Sequence, residues 1–115
     1  MRFKLNVATI SWGLSMLLFF GTAASAGAAD QKPAPKTYTV VIKGFKFTPD
    51  KLEVNAGDVI VWRNEDIVPH IVTADKFKSK NLDQGESWSY TAKQKGDFPY
   101  NCRYHPTMTA ELIVH

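Results

Sequence analysis

The sequence predicts an all-β domain, a sandwich or a barrel of about seven strands. Three observations predict it. After the first 36 residues, no segment has both the period and the length of a helix. Short apolar or alternating segments recur there at spacings of about 8–12 residues, separated by turns rich in Gly, Pro, Asn and Asp. The 115 residues suffice for one modest domain and not for two.

Each expected strand has a composition that favours extended backbone. Residues 37–42 are β-branched and aromatic, residues 51–54 alternate polar with apolar side chains, and residues 59–62 form an apolar run typical of a buried central strand. Four later strands are predicted on the same grounds, at 71–73, 87–91, 98–102 and 110–114. The polar, Lys-rich residues 75–85 are expected to form a loop. The side chains expected to fill the core are Val40, Ile42, Leu52, Val54, Ile60, Trp62, Trp88, Phe98, Leu112 and Val114.

The N-terminus has the three parts of a secretory signal peptide. Residues 1–4 are basic, residues 5–29 carry no charge, and residues 24–28 contain two small-x-small cleavage signatures. We interpret this pattern as a signal for export. The alternative is an uncleaved anchor, because about 20 uncharged residues suffice to span a bilayer.

Signal cleavage is expected between Ala26 and Asp30, and it changes the charge of the mature protein. Removal of Arg2 and Lys4 lowers the formal net charge from +3 to about +1. No basic stripe then remains, so a nucleic-acid partner is not predicted. The predicted organisation is a signal peptide over 1–28, a flexible lead-in over 29–36 and a folded domain over 37–115.

A single cysteine, Cys102, narrows the kinds of site that the chain can build. It excludes a disulfide within the chain and an iron–sulfur cluster held by four cysteines. A lone thiol in an exported protein is open to oxidation, and metal binding accounts for its presence there. We therefore expect Cys102 to be a shielded thiolate ligand.

Candidate metal ligands gather near the C-terminus. Cys102, His105 and Met108 follow one another at intervals of three residues, between the strand that ends at Cys102 and the last strand. A tight loop, stiffened by Pro106, can aim all three side chains at one centre. A fourth donor, His70, follows the expected central strand. In a sandwich, the end of that strand and the end of the strand that holds Cys102 can lie side by side.

The donor types favour copper over zinc. Zinc takes Cys, His and carboxylate ligands, for which Met is a poor substitute. Two imidazoles and a thiolate with a weak axial thioether are the arrangement of a blue-copper electron-transfer site. Four protein ligands leave no open position for a substrate, which predicts a carrier and not an enzyme.

The all-β pattern, the Pro69-His70 pair and the Cys102-x-x-His105-x-x-Met108 motif resemble the small blue copper proteins, the cupredoxins. The short spacing within the motif is most similar to that of the amicyanins. The chain as a whole resembles the amicyanin and plastocyanin-like members of this family. The resemblance implies a Greek-key β-sandwich of about seven to eight strands. It also implies one copper ion, cycling between Cu(I) and Cu(II), with His70, Cys102, His105 and Met108 as its ligands.

Two positions depart from the familiar cupredoxins. In those proteins an Asn often follows the first histidine ligand and hydrogen-bonds a Ser or Thr that follows the cysteine. Here these positions hold Ile71 and Arg103. Hydrogen bonds around the ligands tune a metal site, so the usual side-chain tie between the two ligand-bearing segments is not expected in this chain.

The function that we predict is an exported, periplasmic one-electron carrier that shuttles electrons between redox proteins. It is expected to be a monomer without stable membrane attachment, and to dock transiently to a c-type cytochrome or to a periplasmic dehydrogenase or oxidase. One alternative is a copper-binding protein that delivers or stores the metal. Another is a secreted hydrolase with Cys102 as nucleophile, which leaves Met108 without a role.

Overall fold

The computed structural model describes Gly13, Gly21 and residues 33–115. Apart from the two glycines, the predicted signal peptide over 1–28 lies outside the described residues, as do residues 29–32 of the predicted lead-in. Among the described residues there is no helix long and apolar enough to cross a membrane.

Eight strands form two four-stranded sheets, and residues 33–115 contain no helix. All seven predicted strands are present, with some ends shifted by one or two residues. The additional strand is the short second one. The strands are β1 (Thr37–Lys43), β2 (Lys46–Thr48), β3 (Lys51–Val54), β4 (Val59–Asn64), β5 (Val72–Ala74), β6 (Ser87–Thr91), β7 (Gly96–Cys102) and β8 (Thr109–Val114). The predicted all-β sandwich is confirmed.

The sheets have the orders β2-β1-β4-β6 and β3-β8-β7-β5. Each sheet contains one parallel pair, β1 with β4 and β3 with β8, while the other neighbours are antiparallel. Two parallel neighbours cannot be joined by a tight hairpin and need a crossover connection. In this chain the crossovers pass through the opposite sheet, so most successive strands belong to different sheets. The register that positions the site joins β5 to β7, where Val72 lies opposite Cys102.

The core draws its side chains from both sheets. Eight of the ten predicted core residues are buried, whereas Leu52 and Trp88 are half-buried against the same cluster. Trp62 is fully buried, and its ring centroid lies 5.5 Å from that of Trp88, its antiparallel cross-strand partner. Full burial of one Val, Leu or Ile side chain contributes about 1.5–3 kcal/mol, so this cluster is the main support of the two sheets.

The predicted loop over 75–85 is irregular, but it contributes to the core. Phe77 and Leu82 are both buried. Leu82 exchanges two backbone hydrogen bonds with His70, with N–O distances of 3.1 and 2.9 Å. Ser79 Oγ accepts the first amide N–H of β5 at 2.8 Å. The loop is therefore paired along the segment that carries His70 and holds that segment in place.

Candidate metal centre

Three of the predicted ligands converge at the end of β7. The ligand atoms of His70, Cys102 and His105 all lie within 4.8 Å of one another. The Nδ1 atoms of His70 and His105 are 3.4 and 3.8 Å from the Sγ atom of Cys102. His70 and Cys102 are fully buried, while His105 is half-buried. The structure thus brings two imidazole nitrogens to one shielded sulfur.

Backbone hydrogen bonds close the ligand loop, residues 102–108, between β7 and β8. His105 N–H donates to the Cys102 carbonyl at 3.2 Å, and Met108 N–H donates to the His105 carbonyl at 2.9 Å. Cys102 N–H donates to the Met108 carbonyl at 3.2 Å. Pro106 brings no N–H and fixes its own φ. Met108 is 5% exposed and packs in the core cluster, so this predicted thioether donor lies in the same closed loop as the other two.

The strand that brings His70 to Cys102 is β5. Val72 lies opposite Cys102, and Arg103 N–H donates to the Ile71 carbonyl at 3.1 Å. The central strand β4 lies in the other sheet, so β5 and not β4 is the sheet neighbour of β7. Sheet neighbours depend on topology, which spacing along the chain does not encode. The backbone bond from Arg103 to Ile71 joins the two ligand-bearing segments without the usual side-chain tie.

The carboxylate of Asp66 is the polar partner of His70. Its Oδ2 accepts the Nε2–H of His70 at 2.8 Å and the N–H of Phe45 at 3.1 Å. Its Oδ1 accepts the N–H of Gly44 at 2.6 Å. An ionised carboxylate only accepts hydrogen bonds, so Nε2 is the donor in this contact, and a neutral imidazole with that proton turns the lone pair of Nδ1 toward the sulfur. Burial raises the pKa of Asp66, but the three N–H donors outweigh burial and hold the pKa below its ordinary value of 3.8.

Phe45 covers the two imidazoles from the turn between β1 and β2. Gly44 and Phe45 form a two-residue turn with φ of 60° and 57°, the left-handed pair that a type I′ hairpin requires. The Phe45 ring lies edge-on to His70 and His105, with centroid distances of 5.7 and 4.9 Å. Neither Phe45 nor Asp66 is predicted from the sequence. The turn that carries Phe45 reaches the site only in the folded chain, and spacing alone does not show that the carboxylate four residues before His70 accepts its N–H.

The donor set fits a copper ion. A thiolate sulfur suits Cu(I), and imidazole nitrogens suit Cu(II), so the cluster offers donors for both oxidation states. A histidine whose non-ligating ring N–H donates to a carboxylate is the usual outer arrangement of a metal-bound imidazole. Burial of His70 and Cys102 limits the access of water to the same centre.

Exposed apolar residues lie in the segments that carry or cover the ligands. One comes from the β1–β2 turn, two precede the first histidine of the cluster and two flank the second. Isolated exposed apolar side chains are normal, but a group concentrated at one functional end favours an interaction surface. These residues are Phe45 (50% exposed), Ile67 (84%), Pro69, Tyr104 (50%) and Pro106.

Comparisons with known proteins agree with this geometry. The family model described as a cupredoxin-like domain matches residues 13–114. The chain is 34% identical over 126 residues to a plastocyanin from Nostoc punctiforme, which covers 90% of this chain and 84% of that protein. It is 26% identical over 114 residues to an amicyanin from Paracoccus versutus, which covers 93% of this chain and 84% of that protein. Among solved structures, an oxidized mutant of amicyanin superposes with a TM-score of 0.66 at 23% identity, over 76% of this chain and 88% of that one.

Proposed function

The chain belongs to the cupredoxin-like domain family, and we propose that it is an exported one-electron carrier with a mononuclear type 1 copper site. Family membership and the cluster of His70, Cys102 and His105 confirm the predicted cofactor, one copper ion. We propose that these three residues hold the ion, with Met108 as the axial ligand. The observation that carries the proposal is the approach of two Nδ1 atoms to one buried Sγ. Bound copper supplies a one-electron couple between Cu(I) and Cu(II).

The contribution of the protein is to hold the donors in place. His70 is fully buried, with its Nε2–H bonded to Asp66 and its backbone paired with Leu82. The backbone bonds of the ligand loop fix His105 and Met108 relative to the end of β7. Donors that are already in place need little rearrangement when the charge of the site changes. This preorganisation favours rapid electron exchange.

We propose that electrons enter and leave at the half-buried imidazole of His105. The exposed apolar residues described above offer contact area around that end, and a small interface suits a transient encounter. Lys80 and Arg103 are exposed in the neighbouring segments, which favours a partner with acidic groups at its own docking surface. The partners proposed for this monomer are a c-type cytochrome or a periplasmic dehydrogenase or oxidase.

We propose a periplasmic location after cleavage of residues 1–28, without membrane attachment. The signal pattern supports export. The complete burial of Cys102 supports it as well, because a shielded sulfur resists the oxidants of that compartment. No enzymatic activity is proposed, since four protein ligands leave no position for a substrate.

Copper loading of the purified protein tests this proposal. We expect one equivalent of Cu(II) to saturate the site and to produce an intense visible absorption band. Ascorbate should bleach the band and ferricyanide should restore it over repeated cycles, with copper still bound. Cys102→Ser is the matched control, because it keeps a small polar side chain but removes the sulfur and should show no such band.

Two results would count against the proposal. A wild-type protein without an intense visible band has no type 1 site. Loss of copper to a Cu(I) chelator on reduction, without a reversible redox couple, would indicate delivery or storage of copper instead.

A further inference from the structure

The carboxylate of Asp66 joins His70 to the Gly44-Phe45 turn, which lies about 20 residues earlier in the chain. It lies beyond the end of β4 and four residues before His70, and its side chain is only 12% exposed. Both oxygens are used: Oδ1 by the N–H of Gly44, and Oδ2 by the N–H groups of Phe45 and His70. The Oδ1 atom of Asn64 in turn accepts the N–H of Asp66 at 2.9 Å, which fixes the backbone that carries the carboxylate.

We propose that Asp66 is a positioning residue of the copper centre, which fixes the tautomer of His70 and clamps the Gly44-Phe45 turn over the two imidazoles. The effect of Asp66 on copper binding rests on the proposed function. The two structural parts of the inference, the tautomer and the clamped turn, are properties of the metal-free protein as well.

The tautomer follows from the short bond between Nε2 and the carboxylate. A neutral imidazole carries one N–H, on either nitrogen. With the proton on Nε2, His70 donates to Asp66 at 2.8 Å and turns the lone pair of Nδ1 toward Sγ, 3.4 Å away. With the proton on Nδ1, the Nε2 lone pair would face a carboxylate oxygen in a buried site, and the buried N–H would block the metal. The carboxylate therefore selects the form that can ligate.

The clamped turn follows from the exposure and backbone of Phe45. Half of this residue is exposed, so burial alone does not hold its ring in place. Its φ of 57° is a conformation that residues with a Cβ adopt uncommonly. The two amide N–H groups of the turn both point to Asp66, which satisfies them and stabilises the left-handed pair. Removal of the carboxylate is expected to free the ring from its edge-on packing against His70 and His105.

The test compares Asp66→Ala with Glu65→Gln. Glu65 is the adjacent carboxylate, exposed and 3.9 Å from Arg63, so Glu65→Gln removes one negative charge without touching His70. The first measurement is the ¹H–¹⁵N NMR spectrum of the metal-free protein, which reports which ring nitrogen of His70 is protonated. We expect an Nε2-protonated ring in wild type and in Glu65→Gln, and a mixture of tautomers in Asp66→Ala.

The second measurement is the affinity for Cu(II), determined by competition with a chelator. Loss of an outer hydrogen-bond partner of a metal-bound histidine costs about 10–100-fold in metal affinity, and we expect a loss in this range for Asp66→Ala. Glu65→Gln should remain close to wild type. A role in stability alone would lower the unfolding temperature and leave the tautomer unchanged.

Asp66→Asn covers the case in which Asp66→Ala does not fold. It keeps the shape and one acceptor oxygen but places an NH₂ group against one set of N–H donors, so a change in tautomer or a loss of Cu(II) affinity is expected here as well. The inference is overturned if a folded Asp66 variant keeps the Nε2-protonated ring and the affinity of Glu65→Gln. If the wild type fails to bind copper, the proposed function fails, while the NMR comparison still decides the role of Asp66.

Discussion

At the scale of the residue, the centre depends on side chains that are already fixed by their neighbours. His70 and Cys102 are fully buried, and the first is bonded to a carboxylate. The ligand types could be predicted because Cys102, His105 and Met108 lie in one short motif. The role of Asp66 could not, because spacing alone does not show that one carboxylate accepts both the Nε2–H of His70 and the N–H groups of a turn about 20 residues earlier in the chain.

Met108 offers a prediction at this scale. Leu and Met have similar volumes, so Met108→Leu should cost less than about 1.5 kcal/mol of stability in the core. We expect the visible band of the copper-loaded protein to persist and the reduction potential to shift, because the axial ligand tunes the potential. Absorption spectroscopy and voltammetry measure the two properties. An unchanged potential together with an unchanged spectrum would remove Met108 from the proposed ligand set.

At the scale of the element, β5 and the 75–85 loop decide where the first histidine lies. Seven strands could be predicted because their side chains alternate or form apolar runs. The strand β2 could not be predicted, because three residues are too few to show an alternating pattern. The burial of Phe77 and Leu82 could not be predicted either, because each is a single apolar residue among polar neighbours. Their burial results from the pairing of the loop with β5 and with His70.

Leu82 tests the structural role of that loop. Its side chain is fully buried, and Leu82→Ala should lower the free energy of unfolding by about 2–5 kcal/mol. Ile67→Ala is the matched control, because it removes an aliphatic side chain of the same size that is 84% exposed and should change stability by no more than about 0.5 kcal/mol. Urea unfolding of the metal-free proteins gives both values. Equal effects would show that the loop does not contribute to the core.

At the scale of the whole molecule, two mixed sheets hold segments from both ends of the described chain. A sandwich or a barrel could be predicted from the number and spacing of the strands, and the resemblance to the cupredoxins implies the sandwich. The assignment of strands to sheets could not, because the parallel pairs β1 with β4 and β3 with β8 join segments that are far apart in sequence. Asp58 strengthens one such junction: it accepts the N–H of Lys36 at 2.9 Å and that of Asn55 at 2.8 Å.

Asp58 leads to a prediction on pH. The N–H groups of Lys36 and Asn55 lower the pKa of Asp58 below its ordinary value of 3.8, against the opposing effect of burial. The unfolded chain therefore binds this proton more readily than the folded one. The stabilisation is fully present above about pH 4 and is lost as the pH falls through the lower pKa of the folded state.

We therefore expect the free energy of unfolding of the metal-free protein to decrease below about pH 4. Asp58→Asn should make this decrease shallower, whereas Asp97→Asn, at an exposed carboxylate, should leave it as in wild type. Urea unfolding at a series of pH values measures the slopes. A slope that Asp58→Asn leaves unchanged would mean that this carboxylate carries no pH-dependent stability.

The most direct measurement of the central claim is X-ray absorption at the copper edge of the loaded protein. The claim is that one thiolate and two imidazoles, from two segments paired through β5 and β7, bind the same ion. We expect a spectrum that requires one sulfur and two imidazole scatterers for each copper, and that loses the sulfur in Cys102→Ser. A wild-type spectrum described by nitrogen and oxygen scatterers alone would contradict the claim.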